Sequence, residues 1–197
     1  MTTDGLKLIV AHGSDDVLRS IADLLDGRHH IQESCGTIIG LKQAVARSRP
    51  DLIVSGLVFP DGDGIDAVVE LGRENPIPSV IVTASGSLGY VEKAMEDHVM
   101  AYLIEPVSAE TLEAAIIVSW SRFQQLEELS HQVDDLRQAL EQRKVVERAK
   151  GILMANDGLS EGEAFAKLRR AAQDRRTKMI AVAKEVIGET EQGNSPT

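Results

Sequence analysis

The fold class is decided by one stretch of the chain, residues 51–64, which reads DLIVSGLVFPDGDG. Its first part, Leu52–Val58, is apolar and rich in β-branched residues, as expected of a strand covered on both faces. Its second part, Pro60–Gly64, has the composition of a turn. Strands of this kind are typical of parallel sheets with helices on each side. The stretch therefore predicts the middle of an α/β sheet.

Strand-like and helix-like segments alternate on both sides of this stretch. Four more strands are predicted, at Leu6–Ala11, His30–Ser34, Ser79–Thr83 and Ala101–Ile104. Four helices are predicted between them. The first begins after a Ser14 cap and ends at Leu25, and the others are Thr37–Arg49, Ile65–Glu74 and Tyr90–Asp97. Five strands alternating with helices predict a doubly wound parallel sheet, whose sites lie at the carboxyl ends of its strands.

A long helix is predicted next, because no proline or turn cluster interrupts the chain from Ser108 to Asn156. Its middle has the three-and-four spacing of a coiled-coil seam. The seam residues are Leu126, Leu129, Val133, Leu136 and Leu140. Acidic and amide side chains flank them, so we expect homodimerisation through this helix. The alternative is a helix packed on its own domain.

Two shorter helices are predicted after Gly158. Ser160 and Glu163 have the spacing of a capping box at the start of the first one. Its apolar side is predicted to consist of Ala164, Phe165, Leu168, Ala171 and Ala172. A break at Asp174–Thr177 precedes the last helix, Met179–Ile187. We divide the chain into an α/β domain (1–120), a linker helix (121–142), a three-helix module (143–188) and a disordered polar tail (189–197).

Charge is distributed unevenly along the chain. The net charge is −10, but residues 1–140 carry −12 and residues 141–188 carry +4. An acidic body with a basic end can hold a polyanion at that end and repel it elsewhere.

Cysteine content and the absence of targeting signals bear on the compartment. Cys35 is the only cysteine, which excludes an internal disulfide framework and a zinc site built from cysteines. We expect Cys35 to be a small buried residue. The first residues lack a signal-peptide pattern, and no apolar stretch is long enough for a membrane span, so we expect a cytoplasmic protein.

Residues 1–120 resemble the receiver domain of two-component response regulators. The similar segments are Leu8–Ala11, Asp51–Val54, Pro60 with Asp63–Asp66, Val80–Ala84, and Ala101–Leu103 ahead of Pro106. The resemblance implies an aspartate that accepts a phosphoryl group at the end of the third strand. It also implies an acidic pair that holds magnesium with that aspartate, and a threonine and a lysine that contact the phosphoryl oxygens.

This sequence departs from the receiver pattern at nearly every one of those positions. The acidic pair falls on His12 and Gly13, the acceptor on Gly56 and the lysine on Glu105, whereas only Thr83 and the aromatic Tyr102 remain. A glycine cannot form an acyl phosphate, and a glutamate adds negative charge where a positive one is needed. We therefore expect a pseudo-receiver without metal or cofactor, controlled by a partner protein, a ligand or dimerisation.

Other candidate groups near this pocket have ordinary structural explanations. Asp61 and Asp63 are conceivable substitute acceptors, and Asp15 and Asp16 a displaced metal pair, but both pairs have the pattern of turns and helix starts. His12, His29 and His30 could bind a metal or sense pH. Lone histidines of this kind are expected to be structural.

Residues 143–187 resemble the ANTAR RNA-binding domain of the amidase-operon antiterminator and related receiver–ANTAR regulators. The similar segments are Arg148–Met154, Gly158–Ser160, Glu163-Ala164, Leu168–Ala172, Asp174–Arg176 and Ile180–Ala183. The resemblance implies a three-helix domain that binds paired stem-loops in leader transcripts and prevents formation of a terminator. Its expected core includes Ala149, Ile152, Leu168, Ala171 and Val182.

Cations of this module are the candidate RNA contacts, since they can bind phosphate and exposed loop bases. They are Lys144, Arg148, Lys150, Arg169, Arg170, Arg175, Arg176 and Lys178. Phe165 is the module's one aromatic residue and is predicted on an apolar face. We therefore expect base stacking on rings to be minor.

Three other functional classes compete with RNA binding. A DNA-binding regulator would use the last two helices as a helix-turn-helix, but the charged Asp174–Thr177 link does not fit that turn. An interaction adaptor would use the basic end to bind an acidic protein. An enzyme is not expected, because no strand end carries paired catalytic acids or a nucleophile with its base.

Overall fold

The computed structural model describes residues 5–84 and 99–193. The chain divides into two compact units between Glu127 and Glu128, and each unit has its own core. Among the described residues, no helix combines the length and the apolar character that a membrane crossing requires.

The first unit contains the five-stranded parallel sheet that the sequence predicts. Its strands are β1 (Lys7–Ala11), β2 (His30–Cys35), β3 (Leu52–Gly56), β6 (Ser79–Thr83) and β7 (Val99–Ile104). They lie in the order β2-β1-β3-β6-β7, with each neighbouring pair parallel. The predicted turn after β3 is a small antiparallel ribbon, in which β4 (Val58–Phe59) pairs with β5 (Gly62–Asp63).

Helices cover both faces of this sheet. They are α1 (Asp15–Leu25), α2 (Ile38–Ser48), α3 (Gly64–Glu74) and the first part of α4 (Ala109–Asp157). The predicted helix Tyr90–Asp97 lies outside the described residues. Ser14 occupies the N-cap position of α1, but its side chain makes no capping hydrogen bond. Thr37 does cap α2, because its hydroxyl accepts from the backbone NH of Gly40 at 3.1 Å.

Alternating residues of the strands build two cores, one on each face. Ile9, Ile53 and Ile81 pack with α2 and α3 on one face. Leu8, Val54 and their neighbours pack with α1 and α4 on the other face. Every residue of β3 is buried, which confirms the expectation of a doubly covered strand for Leu52–Gly56. The expectation is wrong for Val58, which belongs to β4 and is 71% exposed. At the sheet edge, β2 is only partly buried.

The second unit contains the rest of α4 together with α5 (Glu161–Asp174) and α6 (Met179–Gly193). Its core is rich in alanine, which lets helix backbones approach closely. The buried members are Ala149, Leu153, Ala164, Leu168, Ala172, Val182 and Ala183. Leu153 takes the buried position that we expected of Ile152, which is only half-buried. The start of α5 has the complete predicted capping box.

Two sequence expectations about α4 and α6 have clear outcomes. Helix α4 runs for 49 residues without interruption, as predicted. The five seam residues of α4 are all exposed in the single chain, from 45% for Val133 to 71% for Leu136. Helix α6 continues to Gly193, so residues 189–193 are helical and the expectation of a disordered tail from residue 189 is wrong for them.

Candidate functional site

The receiver-like pocket lies where strands β1, β3, β6 and β7 end. Parallel pairing brings Ala11 beside Ser55, Gly56 beside Val82 and Thr83 beside Ile104. The residues that follow these strands therefore converge at one edge of the sheet. Among the predicted pocket residues, the structure brings His12, Gly56 and Glu105 into direct proximity.

His12 fills the space above Gly56. A Cβ atom added to Gly56 would lie 2.5 Å from His12 Cδ2, closer than real Cβ atoms approach other heavy atoms, and 3.0 Å from Nε2. The imidazole is almost buried, with 8% of the residue exposed. The residue at the expected phosphate-acceptor position thus has no side chain, and the space that such a side chain would need is filled by the His12 ring.

Hydrogen bonds orient the His12 ring. The backbone NH of Ser14 donates to Nδ1 at 3.0 Å, so in the neutral ring Nε2 carries the hydrogen. Nε2 lies 3.4 Å from Glu105 Oε1. The backbone NH of His12 donates to the carbonyl of Cys35 at 3.0 Å, which anchors the loop after β1 to β2. The arrangement pairs an imidazole with a carboxylate at the sheet edge.

Two glycines let the surrounding loops approach closely. A Cβ atom on Gly13 would overlap the carbonyl oxygen of Val58, and one on Gly64 would overlap that of Gly56. Because both obstacles are backbone atoms, neither position accepts a side chain without movement of a loop. Position 13, one of the two where the receiver pattern has an acidic pair, is therefore sterically closed to an aspartate.

Thr83 and Tyr102 lie in the predicted strands, and both belong mainly to the packed part of the domain. Thr83 is 4% exposed, and its carbonyl accepts a hydrogen bond from the backbone NH of Glu105 at 2.8 Å. Tyr102 is half-buried and packs against the core of one sheet face.

The acidic side chains near the pocket serve as caps and ion pairs. Asp61 accepts hydrogen bonds from the backbone NH groups of Ile38 and Ile39 at 2.9 and 3.1 Å. The bond from Ile38 is the main reason why the pKa of Asp61 lies below its usual value. Asp63 caps α3 through the NH groups of Ile65 and Asp66.

The first turn of α1 holds the other two acidic candidates. Asp16 pairs with Arg19 at 2.7 Å, and Asp15 lies beside it at the helix start, where negative charge suits the helix dipole. These placements agree with the structural roles that the turn and helix-start patterns predict.

The donor set of the pocket does not fit magnesium. This cation prefers several hard oxygen ligands at nearly octahedral positions, with carboxylates foremost. The converging residues supply one imidazole, two glycines and the single carboxylate of Glu105. Within residues 5–84 and 99–193, no cluster of three histidine, cysteine, aspartate or glutamate side chains is arranged to hold a metal.

Two further groups of this unit are buried. His29 Nε2 lies 3.3 Å from Glu113 Oε2 on α4, and the His29 side chain is 1% exposed. This pair could not be expected from sequence, because the partners are far apart in the chain. Cys35 is buried and burial raises the pKa of its thiol, which agrees with the expectation of an unreactive cysteine.

Three of the predicted RNA-contact cations in the second unit form ion pairs with acidic side chains. Lys150 lies almost buried between Glu147 Oε2 at 2.8 Å and Glu161 Oε1 at 2.7 Å. The hydrogen bond to Glu147, followed by that to Glu161, raises the pKa of Lys150. Lys144 pairs with Glu141, and Arg175 with Glu185. The geometry therefore favours a structural role for Lys150 rather than the RNA contact that we expected.

Four other predicted cations keep their charge available. Arg169, Arg170, Arg176 and Lys178 are exposed. None of the four forms an ion pair within the part of the chain that the structure describes. Arg148 is also exposed but engages a neighbouring group.

Arg176 closes the C-terminus of α5 in an unusual conformation. Its φ angle is +49°, in the left-handed region that favours glycine. The NH of Arg176 donates to the carbonyl of Gln173, and the NH of Thr177 donates to that of Ala172. These two bonds form a Schellman motif with an arginine at the position usually taken by glycine.

A groove lies beside these cations, between the last part of α4, helix α5 and the start of α6. Its volume is about 540 Å³, and it is lined by Ala139, Gln142, Arg143, Val146, Glu147, Phe165, Lys178, Met179 and Ile180. Phe165 is 39% exposed, so it is less buried than the predicted apolar side of α5 implies, and it lies at the wall of this groove. The buried residues of α5 are Ala164, Leu168 and Ala172, and Phe165 lies at helical spacing from Leu168 and Ala172, three and seven residues before them.

Family models match both units of the chain. The response regulator receiver domain matches residues 8–117, and the ANTAR domain matches residues 134–187.

Curated relatives and solved structures agree with these matches. The transcriptional regulatory protein PdtaR of Mycobacterium tuberculosis is 43% identical over 142 residues, which cover 72% of this chain and 69% of that relative. The nitrate regulatory protein of Klebsiella oxytoca is 38% identical over 63 residues, covering 32% of this chain and 16% of that protein. The crystal structure of a response regulator receiver domain protein from Clostridium thermocellum superposes with a TM-score of 0.56 at 24% identity, covering 61% of this chain and 98% of the other; it supports the fold alone.

Proposed function

Because the chain belongs to the family of response regulators that join a receiver domain to an ANTAR domain, we propose that it binds leader-RNA hairpins and acts in transcription antitermination. The observation that carries the proposal is the group of exposed cations Arg169, Arg170, Arg176 and Lys178 in the ANTAR unit, which form no ion pair among the described residues. Phosphate contacts from such cations supply much of the affinity of proteins for nucleic acid.

Ion pairs within the ANTAR unit leave its net positive charge on cations that include Arg169, Arg170, Arg176 and Lys178. Residues 141–188 carry eleven basic and seven acidic side chains. Five of the acids are engaged by Lys144, Lys150, Lys167 and Arg175, and Glu163 belongs to the capping box. Most acidic charge of the unit is therefore neutralised locally, and the cations without acidic partners determine the surface potential.

We further propose that the receiver unit does not switch by aspartyl phosphorylation. Gly56 lacks a carboxylate, His12 occupies the adjacent space, and Glu105 places negative charge where the phosphoryl oxygens would have to lie. Control then comes from a partner protein, a ligand or dimerisation. Incubation with acetyl phosphate and magnesium, followed by intact mass measurement, is expected to show no acid-labile adduct. Stoichiometric labelling of Asp61 or Asp63 would overturn this part.

Dimerisation belongs to the same proposal. The exposed seam Leu126, Leu129, Val133, Leu136 and Leu140 has coiled-coil spacing, and two copies would cover it. Two ANTAR units in one dimer suit a transcript that presents two hairpins. We place the protein in the cytoplasm, where such transcripts are made.

Crosslinking in cells and sequencing of the bound transcripts tests the function directly. We expect hairpins just upstream of terminators to be enriched. Recovery of duplex DNA instead would favour a DNA-binding regulator, and recovery of neither nucleic acid would favour an adaptor that binds an acidic protein.

A binding assay with matched variants tests the surface. For the full chain and an enriched two-hairpin RNA, we expect Arg169→Gln with Arg170→Gln to weaken binding about ten-fold or more, since each lost phosphate contact reduces affinity. Lys167→Gln is the control, because Lys167 lies on the same helix but pairs with Asp157 at 2.7 Å. Equal loss in the control would show that general charge, rather than this surface, is responsible.

A further inference from the structure

We infer that the groove beside Phe165 receives an unpaired base of the RNA loop, with the phenyl ring stacking on that base. The inference rests on the proposed RNA binding and adds a specific subsite to it. The groove lies wholly within the second unit, between α4, α5 and the start of α6.

The exposure of Phe165 is the first observation. Helix α5 buries Ala164, Leu168 and Ala172 against the other two helices, and this core is complete without Phe165. The aromatic side chain is left 39% exposed at the wall of a groove of about 540 Å³. This volume lies in the range of pockets that bind small flat ligands. An open aromatic ring in such a groove is suited to stacking.

The cations around the ring are the second observation. Arg143 from α4 and Lys178, the residue before α6, also line the groove. Neither side chain has an acidic partner among the described residues, and both are exposed. Arg169 follows Phe165 by four residues on α5, so it lies on the same face of that helix. Glu147, the acidic residue of the lining, is engaged by Lys150 at 2.8 Å.

This combination fits a loop base better than the other candidate occupants. Proteins that read RNA loops stack unpaired bases on aromatic rings and arginine planes, whereas a paired base keeps its face inside the helix. The flanking phosphates require cations at the rim, and Arg143 and Lys178 are available there. The α4 of a second copy is the competing occupant, and the dimerisation of each variant distinguishes the two.

The test begins with RNA selected on the full-length chain from a pool of hairpins with randomised loops. The selected hairpin is then compared with the same stem carrying abasic loop nucleotides, against wild type, Phe165→Ala and Phe165→Trp. Met154→Ala is the control, because Met154 is 40% exposed in the same unit but does not line the groove. Dimerisation of each variant is measured in parallel.

The expected result is a loss of affinity of about ten-fold or more for Phe165→Ala with the intact loop, within the range for removal of one stacked base. The abasic loop should remove the difference between wild type and Phe165→Ala, Phe165→Trp should restore binding, and Met154→Ala should bind like wild type. Equal affinity of Phe165→Ala and wild type for the intact loop would overturn the inference. A variant that binds RNA normally but no longer dimerises would assign the groove to a subunit interface. If no hairpin is selected by the wild type, the proposed RNA binding itself fails.

A spectroscopic readout separates stacking from loss of structure. Trp120 is the only tryptophan of the chain, so a Trp120→Phe, Phe165→Trp variant reports on the groove alone. Stacking on a loop base is expected to quench its fluorescence, and the abasic loop should not. Quenching of the same size with the abasic loop would contradict the assigned contact.

Discussion

At the scale of single residues, His12 and Gly56 act together. The imidazole occupies the volume into which a side chain at position 56 would project, and Ser14 and Glu105 hold the ring there. Replacing Gly56 alone leaves His12 in the required space, and replacing His12 alone leaves position 56 without a carboxylate.

This arrangement predicts that Gly56→Ala destabilises the receiver unit by about 1–3 kcal/mol, as overpacking of a tight site does. The cost should shrink in a His12→Ala background. Gly36→Ala is the matched control, because a Cβ atom there meets nothing closer than Asp15 Oδ1 at 3.7 Å. Urea unfolding of the four variants measures the effect. Equal costs at positions 36 and 56 would contradict the assigned contact.

Arg176 provides a second test at the same scale. Its left-handed conformation costs about 1 kcal/mol relative to glycine. Arg176→Gly should therefore raise the free energy of unfolding by about 1 kcal/mol while it weakens RNA binding. Arg170→Gly, in the middle of α5, should lower stability by about 1 kcal/mol. A destabilised Arg176→Gly protein would show that the arginine side chain supports the fold.

At the scale of elements, the N-terminus of α5 depends on its capping box. The Ser160 side chain and backbone NH both donate to Glu163 Oε2, at 2.6 and 2.9 Å. The hydrogen bond from the Ser160 hydroxyl is the main reason why the pKa of Glu163 lies below its usual value. The ionised carboxylate therefore stabilises the start of the helix.

Ser160→Ala is expected to cost about 1 kcal/mol at neutral pH. Folding lowers the pKa of Glu163. The ionised Glu163 therefore contributes to the free energy of unfolding above its pKa in the unfolded chain, and this contribution is lost as the pH falls through its pKa in the folded protein. The difference between wild type and Ser160→Ala should thus diminish in acid. Denaturant unfolding at several pH values measures it, and a difference that grows in acid would be inconsistent with this sign.

The seam of α4 gives the second prediction for an element. Leu129→Glu with Leu136→Glu should abolish dimerisation, since both side chains are more than half exposed in the single chain and charged residues do not fit a coiled-coil core. Gln138→Glu, on the same helix outside the seam, is the control. Sedimentation equilibrium measures the mass, and a persistent dimer of the double variant would place the interface elsewhere.

At the scale of the whole molecule, opposite charges are segregated along the chain. Residues 1–140 carry −12 and residues 141–188 carry +4. Negative charge repels polyanions and positive charge attracts them, so we expect the proposed RNA binding to take place at the basic end.

This segregation predicts that two associations respond differently to salt. RNA affinity should fall steeply between 50 and 200 mM salt, because counterions are released on binding. Dimerisation through the apolar seam should change little over the same range, because burial of apolar side chains is not screened by salt. Fluorescence anisotropy and sedimentation measure the two. Salt-independent RNA binding would speak against phosphate contacts.

The sequence by itself determined the order of the described strands and helices other than the β4–β5 ribbon, the bounds of β6, the long helix and the capping box. It also shows directly that position 56 has no acidic side chain and position 105 no basic one. Each of these depends on periodicity or on residue type within a short stretch, which a single chain displays directly. Tertiary structure alone decided that His12 fills the space at Gly56, that Lys150 is enclosed by Glu147 and Glu161, and that Phe165 stays open at a groove. Helix packing and side-chain pairing between separate segments produce these features, and local patterns do not specify which partners meet.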